Sequence, residues 1–307
     1  MTRALALVGI GEIARNEHVP ALRNSAAFTL AATASRNAKV DGVDVYRDLA
    51  SLLDARDDVT CVSLCTPPQF RYEDARLALE RGRHVMLEKP PGATLSEVET
   101  LIDLARARGV TLYASWHSRA AAAVPAARDW LADRQVRGIA MTWKEDVRYW
   151  HPGQDWIWQA GGLGVFDPGI NGFSVLTAIL PHPLHLKSAE LRFPENRDTP
   201  VAADLTFAGP DGIEAAASLD WLEAGEPQWD IEIATDGGTL TLSKGGAEMA
   251  VDGTPVPAGE NREYPNLYTR FAELIERGES DADLAPLRHV ADAFMLGRRI
   301  AAPAFHW

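Results

Sequence analysis

The stretch Val85-Met86-Leu87-Glu88-Lys89-Pro90-Pro91 decides the fold of the first half of the chain. Its three leading apolar residues are typical of a strand inside a parallel sheet that is covered on both faces. Pro90 has no backbone N–H and ends the strand, so Lys89 is expected at the carboxyl edge of the sheet. Ligands bind at this edge in open α/β sheets. The stretch therefore predicts a functional lysine, although a surface lysine before a turn would give the same pattern.

Composition limits the class of protein to which the chain belongs. It has 307 residues, enough for two domains or one large one, and 46% of them are hydrophobic, which is typical of a globular protein. The net charge of −13 argues against nucleic acid or an anionic membrane as the main partner, because both require clustered Lys and Arg. No apolar run reaches the length of a membrane span.

The chain has only two cysteines, Cys61 and Cys65, which a strand would place about 13 Å apart. That separation is too long for a disulfide. The apolar start, residues 1–8, runs straight into a glycine loop, and we interpret it as a first strand and not as a signal peptide. We therefore expect a protein of the reducing cytoplasm.

The first strand leads into a glycine loop, Gly9-Ile10-Gly11-Glu12-Ile13-Ala14. The pattern G-x-G-x-x-A between a strand and a helix is typical of dinucleotide-binding folds, in which backbone N–H groups approach a pyrophosphate. We predict that a cofactor contacts this loop and that the side chain of Glu12 points to solvent, away from the phosphates. A plain strand-to-helix turn is the alternative.

The end of the predicted second strand, residues 28–34, indicates which cofactor is bound. An NAD-binding fold normally has Asp or Glu there for the ribose 2′-hydroxyl, whereas this chain has Ser35-Arg36. A 2′-phosphate is then not repelled, and the guanidinium of Arg36 can pair with it through two hydrogen bonds. NADP is therefore the favoured cofactor and NAD remains possible; Arg36 could also be a solvated surface residue.

Strands and helices alternate through residues 1–118. Helix boundaries are predicted, in chain order, by Asp48 as an N-cap, Gly82 as a helix end, Ser96 with Glu99 as a capping box, and Gly109 as a helix end. A strand over residues 62–65 ends at Thr66-Pro67-Pro68, at the edge that is expected to face the cofactor. This alternation predicts a doubly wound parallel sheet in an N-terminal domain of residues 1–118.

The pattern changes in residues 119–307, where strands separated by short turns become frequent. The predicted strands are 139–145, 184–193, 201–207, 213–221, 229–235 and 239–242. Glycine-rich turns such as Asp236-Gly237-Gly238 are typical of hairpins. We predict an α+β domain with a mostly antiparallel sheet, one face of which packs on helices; the last helix could instead pack back on the first domain. The other face could form a homodimer or cover a substrate site.

A segment rich in aromatic residues and glycine separates the first two of these strands. It includes Trp150-His151 and Asp167-Pro168-Gly169-Ile170-Asn171. If Pro168 occupies the first turn of a helix, Asp167 caps that helix, and Asn171, four residues later, lies on the same face. A capped core helix that follows an aromatic loop would give the same pattern.

Five motifs together resemble the family of glucose-fructose oxidoreductase, inositol dehydrogenase and the rhizopine-catabolism oxidoreductases. They are Gly9-Ile10-Gly11-Glu12-Ile13-Ala14, His18-x-Pro20-Ala21-Leu22, Thr66-Pro67-Pro68, Glu88-Lys89-Pro90 and Asp167-Pro168-Gly169-Ile170-Asn171. The resemblance implies an N-terminal Rossmann domain, a C-terminal sheet domain and a nicotinamide between them. It also implies that Lys89 lies beside the reacting carbon and that Asp167 lies close to Lys89.

One position departs from the family pattern. Members commonly have a histidine, taken as the acid or base, where this chain has Asn171, and an asparagine cannot titrate. The chain resembles the L-arabinose/D-galactose 1-dehydrogenase branch of the family through Asn171, Glu88-Lys89-Pro90-Pro91-Gly92, Trp143-Lys144-Glu145-Asp146 and Trp150-His151-Pro152-Gly153-Gln154. This resemblance implies that a cyclic aldose is oxidised at C1 to a lactone, with hydride transfer to NADP or NAD.

The sequence patterns and the resemblance together give the expected site residues. Lys89, Asp167 and Asn171 are the expected catalytic residues: Lys89 donates a hydrogen bond to O1, Asp167 accepts the proton directly or through Lys89, and Asn171 orients O1. Cofactor contacts are expected from Gly9, Ile10, Gly11, Glu12, Ile13, Ser35, Arg36, Cys65, Thr66, Pro67, Glu88 and Lys89. Sugar contacts are expected from Lys89, His117, Glu145, Trp150, His151, Asp167, Asn171 and Trp229, some of which could instead be core or surface residues. No metal is expected, because His151, Glu145 and Asp167 have a spacing that fits no standard zinc motif.

Two other functions fit the same fold. The chain could be a dehydrogenase or reductase whose substrate is not a sugar, or a catalytically inactive sensor that binds NADP and a partner protein. The presence of both Lys89 and Asp167 argues against the sensor, since binding alone does not need the pair.

Overall fold

The computed structural model describes residues 2–307, which form two compact units. The first unit comprises the chain up to His117 together with the segment Arg262–Leu284. The second unit comprises Ser118–Asn261 and Ala285–Trp307. The strands are β1 (Arg3–Val8), β2 (Phe28–Ala34), β3 (Asp44–Tyr46), β4 (Val59–Leu64), β5 (His84–Glu88), β6 (Leu112–Ser115), β7 (Val136–Lys144), β8 (His185–Pro194), β9 (Ala202–Ala208), β10 (Glu214–Asp220), β11 (Gln228–Thr235), β12 (Gly238–Ser243), β13 (Glu248–Val251), β14 (Thr254–Val256) and β15 (Arg298–Ala302). The helices are α1 (Val19–Arg23), α2 (Leu49–Ala55), α3 (Arg71–Glu80), α4 (Leu95–Arg108), α5 (Val124–Leu131), α6 (Val147–Trp150), α7 (Phe166–Ile179), α8 (Glu263–Arg277) and α9 (Ala285–Leu296).

The sheet of the first unit has the strand order β3-β2-β1-β4-β5-β6, and neighbouring strands are parallel throughout. The strand order reverses between β1 and β4, which lie side by side although they are not consecutive in the chain. Gly9 and Cys65 directly follow the carboxyl ends of these two strands. The predicted doubly wound parallel sheet is confirmed, and its glycine loop lies at the point where such sheets bind ligands.

The stretch before Lys89 forms the buried strand that its apolar residues predict. Val85, Met86 and Leu87 of β5 are fully buried, and β4 and β6 flank the strand on either side. The strand ends at Glu88, two residues before Pro90, and the Lys89–Pro90 peptide bond is cis. Because Pro90 cannot donate a ladder hydrogen bond, the chain leaves the sheet here.

Three of the predicted helix boundaries in the first unit are confirmed. The side chain of Asp48 accepts the N–H of Ser51 at 2.8 Å and so caps α2. Gly82 and Gly109 end α3 and α4 with φ of +70° and +65°, a backbone conformation that glycine adopts without strain.

The predicted capping box of Ser96 and Glu99 is wrong. Thr94 caps α4 instead, because its hydroxyl accepts the N–H of Glu97 at 3.2 Å, while Glu97 Oε2 accepts the N–H of Ala93 at 3.1 Å. Thr94 and Glu97 have the same spacing as the predicted pair, two residues earlier. Thr94 has the extended backbone that a cap requires, whereas Ser96 already lies within the helix.

Helix α8 completes the first unit from a distant part of the sequence. Leu267, Phe271 and Leu274 are buried on one face, and Gly278 ends the helix with φ of +66°. The ring of Phe271 stacks on Phe28 of β2 with centroids 5.5 Å apart. The returning segment therefore supplies part of the core beside the parallel sheet.

The sheet of the second unit has the order β14-β13-β12-β11-β7-β10-β9-β8-β15. Two neighbouring pairs, β10 with β7 and β15 with β8, are parallel, and the other pairs are antiparallel. The predicted turn at Asp236-Gly237-Gly238 joins the antiparallel strands β11 and β12 as a hairpin turn does. The turn between β9 and β10 also joins antiparallel strands. The predicted mostly antiparallel sheet is confirmed.

Helix α7 packs very closely on this sheet. A Cβ on Gly169 would lie 2.7 Å from the side chain of Leu219, and one on Gly172 would lie 2.7 Å from the ring of Trp143. Side chains at these two positions would push the helix away from the strands. The glycines therefore let α7 approach the sheet, and its first turn, which carries Asp167, is positioned against rigid strands.

Four strands, β3, β13, β14 and β15, were not predicted. They are three to five residues long, and β14 contains a proline while β15 begins with two arginines. Short strands at the margins of a sheet bury few side chains and so lack the alternating apolar pattern by which strands are recognised.

Candidate functional site

The glycine loop has the backbone that a dinucleotide needs. Gly9 has φ of +82°, and a Cβ there would lie 2.8 Å from the backbone N of Thr66, so the position requires glycine. The N–H of Gly9 donates to the carbonyl of Ala34 at 2.9 Å. A Cβ on Gly11 would meet nothing within 4 Å, so the loop borders open space there. An open glycine cradle at the carboxyl end of β1 fits the pyrophosphate of a dinucleotide.

The helix after this loop begins irregularly. Glu12 and Ile13 are exposed, and a π-helical turn over Ala14–His18 precedes α1. Pro20, at the start of α1, cannot donate a hydrogen bond to the preceding turn, and the wider π turn relieves the clash of its ring with that turn. His18 is fully buried at the end of the π turn.

The second strand is followed by Ser35 and Arg36 and not by an acidic residue. Ser35 is half-buried, and its N–H donates to the carbonyl of Tyr46 at 3.0 Å. Arg36 follows and is exposed. A positive charge therefore stands where NAD-binding folds normally have an acidic residue.

Other predicted cofactor residues lie around the ends of β1 and β4. Cys65 is half-buried, and its N–H donates to the carbonyl of Val8 at 2.8 Å. Thr66 and Pro67 follow it, beside Gly9. The side chain of Ile10 is buried in the core, as is that of Ala14 at the other end of the glycine loop.

Glu88, the last residue of β5, has a buried carboxylate with three hydrogen-bond donors. Oε1 accepts hydrogen bonds from Tyr264 Oη at 2.9 Å and from His18 Nε2 at 3.1 Å, and Oε2 accepts the backbone N–H of Lys89 at 2.7 Å. Burial alone would raise the pKa of Glu88, but the hydrogen bond and charge of His18 outweigh it and hold the pKa at about 2. Glu88 is therefore ionised at neutral pH.

His18 carries the opposite charge. Burial lowers its pKa, but Cys65, Tyr268 and Glu88 together raise the pKa of His18 well above its ordinary value of 6.5. The protonated ring donates from Nε2 to Glu88 and from Nδ1 to Tyr268 Oη at 2.7 Å, and the Tyr268 hydroxyl lies 3.5 Å from Ser63 Oγ. We refer to His18, Glu88, Tyr264 and Tyr268 as the Glu88 cluster.

The backbone around Lys89 is held by a second buried charge, Arg71. Its guanidinium is almost completely buried and donates to the carbonyl oxygens of Glu88 and Pro90, on either side of Lys89. Arg71 Nε also donates to the carbonyl of Thr66 at 3.0 Å. The loops that follow β4 and β5 are therefore joined by one side chain.

His117, a predicted sugar contact, is fixed within the first unit. Its Nδ1 donates to Glu263 Oε2 at 2.6 Å, and its ring stacks on Tyr264 with centroids 5.6 Å apart. A carboxylate that accepts from Nδ1 and an aromatic face that supports the ring together set the orientation of the imidazole.

In the second unit, several predicted sugar contacts surround one buried carboxylate. Glu145 follows β7; its Oε1 accepts the indole N–H of Trp221 at 3.2 Å and its Oε2 accepts that of Trp229 at 2.9 Å. Trp150 packs edge-on against Trp229 with centroids 5.0 Å apart, and it is 40% exposed. The result is a fixed acceptor beside an accessible aromatic wall.

His151 lies between two buried carboxylates. Its Nε2 is 3.5 Å from Glu145 Oε1 and 3.9 Å from Asp167 Oδ2, and its ring packs on Trp221 with centroids 5.3 Å apart. The side chain of His151 is 19% exposed, more than either carboxylate. The structure thus brings Glu145, His151 and Asp167 together.

The prediction that Asp167 caps its helix is wrong. Helix α7 already begins at Phe166, and Val165 occupies the cap position without a side-chain hydrogen bond. The N–H of Asp167 donates to the carbonyl of Gly164 at 2.8 Å, which shows that the chain turns before Asp167. The carboxylate is buried in the first turn, where the helix dipole favours a negative charge.

Asn171 lies one turn after Asp167 on α7, as predicted, and is half-buried. Its backbone carbonyl accepts the hydroxyl of Ser174 at 2.7 Å. Because an amide has both a donor and an acceptor but no ionisable group, Asn171 can orient a hydroxyl and cannot take its proton.

The sequence interpretation did not assign roles to the residues that hold the predicted ones in place. These supporting residues are His18, Arg71, Trp221, Tyr264 and Tyr268. His18 was part of a recognised motif, so its spacing to Pro20 was an available signal. The others contact residues far away in the sequence, and no local pattern distinguishes them from core residues.

Residues 2–307 contain neither a candidate metal site nor a candidate membrane span. No group of three or more His, Cys, Asp or Glu side chains in this range could hold a metal ion. No helix in the same range is both long enough and apolar enough to cross a membrane.

Comparison with known proteins identifies the family. The family model described as "Oxidoreductase family, NAD-binding Rossmann fold" matches residues 3–115, which include the glycine loop and Glu88-Lys89-Pro90. A curated relative that is 43% identical covers 98% of the chain. The chain therefore belongs to this oxidoreductase family, and the resemblance deduced from its motifs is confirmed.

That relative is the galactose 1-dehydrogenase of Pseudomonas fluorescens, aligned over 302 residues and 98% of its own length. Among solved structures, D-galactose-1-dehydrogenase from Rhizobium etli is 54% identical, with a TM-score of 0.96 over 100% of this chain and 99% of that one. A 3-ketoreductase from Actinomadura kijaniata, solved with NADP and TDP-benzene, has the same fold at 21% identity, with a TM-score of 0.83 over 99% of this chain and 100% of that one.

Proposed function

We propose that the protein is an NAD(P)-dependent aldose 1-dehydrogenase that oxidises D-galactose, L-arabinose or both at C1 to the lactone. The observation that carries this proposal is the similarity along the whole chain to galactose 1-dehydrogenases, at 43% and 54% identity. The two sugars have the same ring stereochemistry at C2 to C4 and differ by the C5 hydroxymethyl group. One pocket could therefore accept both.

Oxidation at C1 requires a hydride acceptor and a proton acceptor. The nicotinamide supplies the first when it is bound, and the protein must orient C1 and take the proton from O1. We assign Lys89 as the hydrogen-bond donor to O1, Asp167 as the base, directly or through Lys89, and Asn171 as the group that orients O1. The fixed backbone around Lys89 and the buried carboxylate of Asp167 support these roles.

Recognition of a sugar requires fixed polar groups and an apolar surface. In the second unit, Glu145 and His151 supply an acceptor and an imidazole, and Trp150 and Trp229 supply aromatic surface. In the first unit, His117 supplies a second oriented imidazole. We propose that all five contact the aldose, because each is held by other side chains and does not need to be ordered on binding.

NADP is the proposed preferred cofactor, with NAD as a weaker alternative. The basis is the exposed guanidinium of Arg36 after β2, together with the hydroxyl of Ser35 in place of a carboxylate. The test is the ratio of kcat/KM for the two cofactors with one sugar. A ratio in favour of NAD would contradict this part of the proposal and leave the sugar chemistry intact.

The decisive experiment measures initial rates of NADPH and NADH formation with a panel of aldoses. We expect D-galactose and L-arabinose to be the fastest substrates. Turnover confined to substrates that are not sugars would replace the proposal with another dehydrogenase or reductase of the family. Failure to reduce either cofactor with any substrate, while NADP still binds, would favour a sensor.

The role of Lys89 is tested by Lys89→Ala, with Lys187→Ala on the exposed face of β8 as the matched control. We expect Lys89→Ala to lower kcat by about 10²-fold or more, which is the loss typical of removing an acid–base group or an oxyanion donor. NADP should still bind. The control should keep the wild-type kcat. Near-wild-type turnover in Lys89→Ala would remove Lys89 from the chemistry.

We also propose that the protein works in the reducing cytoplasm and that it forms a homodimer. The sheet of the second unit would form the dimer interface. Small or polar side chains cover part of one face of this sheet, among them Ala140, Ser188, Thr206 and Ala216, all exposed. Such a flat face can pack against a second copy of itself across a two-fold axis. The test is the molar mass in solution of the wild type and of Ala216→Arg, which should be monomeric; a monomeric wild type would contradict the proposal.

A further inference from the structure

The Glu88 cluster joins three separate parts of the first unit next to Lys89. His18 comes from the π turn, Glu88 from the end of β5, and Tyr264 and Tyr268 from successive turns of α8. All four side chains are buried. None of the roles proposed above for the reaction uses their charges or hydroxyl groups.

A buried ion pair of this kind is a poor device for stability alone. The loss of hydration of two charges offsets much of their attraction, and apolar side chains of similar volume often stabilise a core equally well. Three donors also divide between the two oxygens of the Glu88 carboxylate in an ordered way: Tyr264 and His18 both donate to Oε1, and the N–H of Lys89 donates to Oε2. The arrangement therefore controls the direction of one carboxylate.

That direction fixes the peptide plane that precedes Lys89. The carbonyl oxygen of this plane accepts from Arg71, and its N–H donates to Glu88 Oε2. A peptide plane that is hydrogen-bonded at both its carbonyl and its N–H cannot rotate freely. Arg71 also donates to the carbonyl of Pro90, the residue after Lys89. The direction of the Cα–Cβ bond of Lys89 is thereby set by buried charges behind it.

We infer that the Glu88 cluster is a positioning device for Lys89. Glu88, His18 and Tyr264 are positioning residues and not catalytic residues, because each acts through the backbone of Lys89. The expected effect of the Glu88 cluster on turnover rests on the proposed function. Its effect on the backbone of Lys89 does not depend on that function. The sequence predicts only a cofactor contact for Glu88. The inference gives its carboxylate a second role, which is to hold the backbone of Lys89.

Tyr264→Phe is the most selective test because it removes one oxygen atom and keeps the ring. The packing of that ring against His18 and His117 is retained. We expect kcat with the best aldose to fall about tenfold, since a small displacement of a catalytic group is sufficient for such a loss. The KM for the sugar and the Kd for NADP should change by less than about twofold. Tyr268→Phe, one hydrogen bond further from Glu88, should have a smaller effect.

The matched control is Tyr72→Phe, which removes a hydroxyl from helix α3 of the same unit. It should leave kcat unchanged. Equal losses of kcat in Tyr264→Phe and Tyr72→Phe, or a wild-type kcat in Tyr264→Phe, would overturn the inference. Glu88→Gln provides a second variant, with a larger expected fall in kcat, because the amide cannot pair with the charge of His18.

A second measurement does not depend on catalysis. Hydrogen exchange followed by NMR resolves the amide of Lys89 from those of Val85 to Leu87 in the buried strand β5, which serve as internal references. We expect the amide of Lys89 to exchange about tenfold faster in Tyr264→Phe than in the wild type, while amides of α4 stay unchanged. Unchanged exchange at Lys89 would overturn the positioning role. If the wild type oxidises no aldose, the proposed function fails, and this exchange experiment still decides the positioning role.

Discussion

The double variant His18→Asn with Glu88→Gln replaces both members of the buried ion pair. It should lose a contribution to the free energy of unfolding that declines in the wild type at both low and high pH. Burial opposes the charge on each residue. The pairing outweighs burial in both: it lowers the pKa of Glu88 from its ordinary 4.5 to about 2 and raises that of His18 well above 6.5. Because both groups are removed together, neither charge is left in the core without its partner.

The sign of each contribution follows from the direction of the pKa shift. Glu88 binds its proton more weakly in the folded chain, so its contribution is complete above about pH 4.5 and is lost as the pH falls toward about 2. The full shift corresponds to roughly 3 kcal/mol, and the loss begins below about pH 4.5. His18 binds its proton more tightly in the folded chain, so its contribution is complete below about pH 6.5 and is lost above it, by at most about 1.4 kcal/mol per pH unit.

Urea unfolding of the wild type and the double variant across this pH range gives the difference in the free energy of unfolding. We expect the difference to be largest between about pH 4.5 and 6.5 and to fall on both sides. The control is Asp103→Asn with Arg106→Gln, an exposed ion pair on α4, for which the difference should stay small at every pH. A difference for the buried pair that does not vary with pH would refute the assignment of its charges.

Three other substitutions test the cofactor and sugar contacts. Gly9→Ala should weaken NADP binding at least about tenfold in a fluorescence titration and lower stability, since φ is +82° and the new Cβ would contact Thr66; unchanged binding would contradict the cradle. Arg36→Ala should raise the Kd for NADP about tenfold and leave that for NAD unchanged, and an equal effect on both would exclude a 2′-phosphate contact. Trp229→Phe should raise the KM for the sugar by roughly fivefold with a smaller change in kcat, because Glu145 loses one donor.

The parallel sheet could be predicted because its signals are local. Val85, Met86 and Leu87 form an uninterrupted apolar run, which is typical of a strand buried on both faces, and Pro90 marks where it ends. The cap of α4 was placed two residues too late, because both Thr94 and Ser96 begin the same four-residue pattern. Backbone conformation, which the sequence does not reveal, selects between them.

The supporting residues of the candidate site could not be predicted because their contacts are distant in sequence. Glu145 accepts from Trp221, 76 positions away, and from Trp229, 84 positions away. The partner of Glu88 on α8, Tyr264, is separated from it by 176 positions. Each of these aromatic residues has the local pattern of an ordinary core residue, and only the register of strands and helices brings its polar atom to a carboxylate.

Glu88 and Glu145 show how each unit buries a carboxylate next to residues proposed to act on the sugar. Both lie where a strand ends, and both are satisfied by aromatic donors, the hydroxyl of Tyr264 in one unit and two indole N–H groups in the other. Such donors combine an apolar body, which fits the core, with one polar atom, which holds the charge. Glu88 also accepts from a protonated histidine, and its second oxygen accepts the N–H of Lys89, so its charge holds the backbone of the first unit. Glu145 receives two uncharged donors and has His151 3.5 Å away, so its oxygens keep the capacity to accept a further hydroxyl.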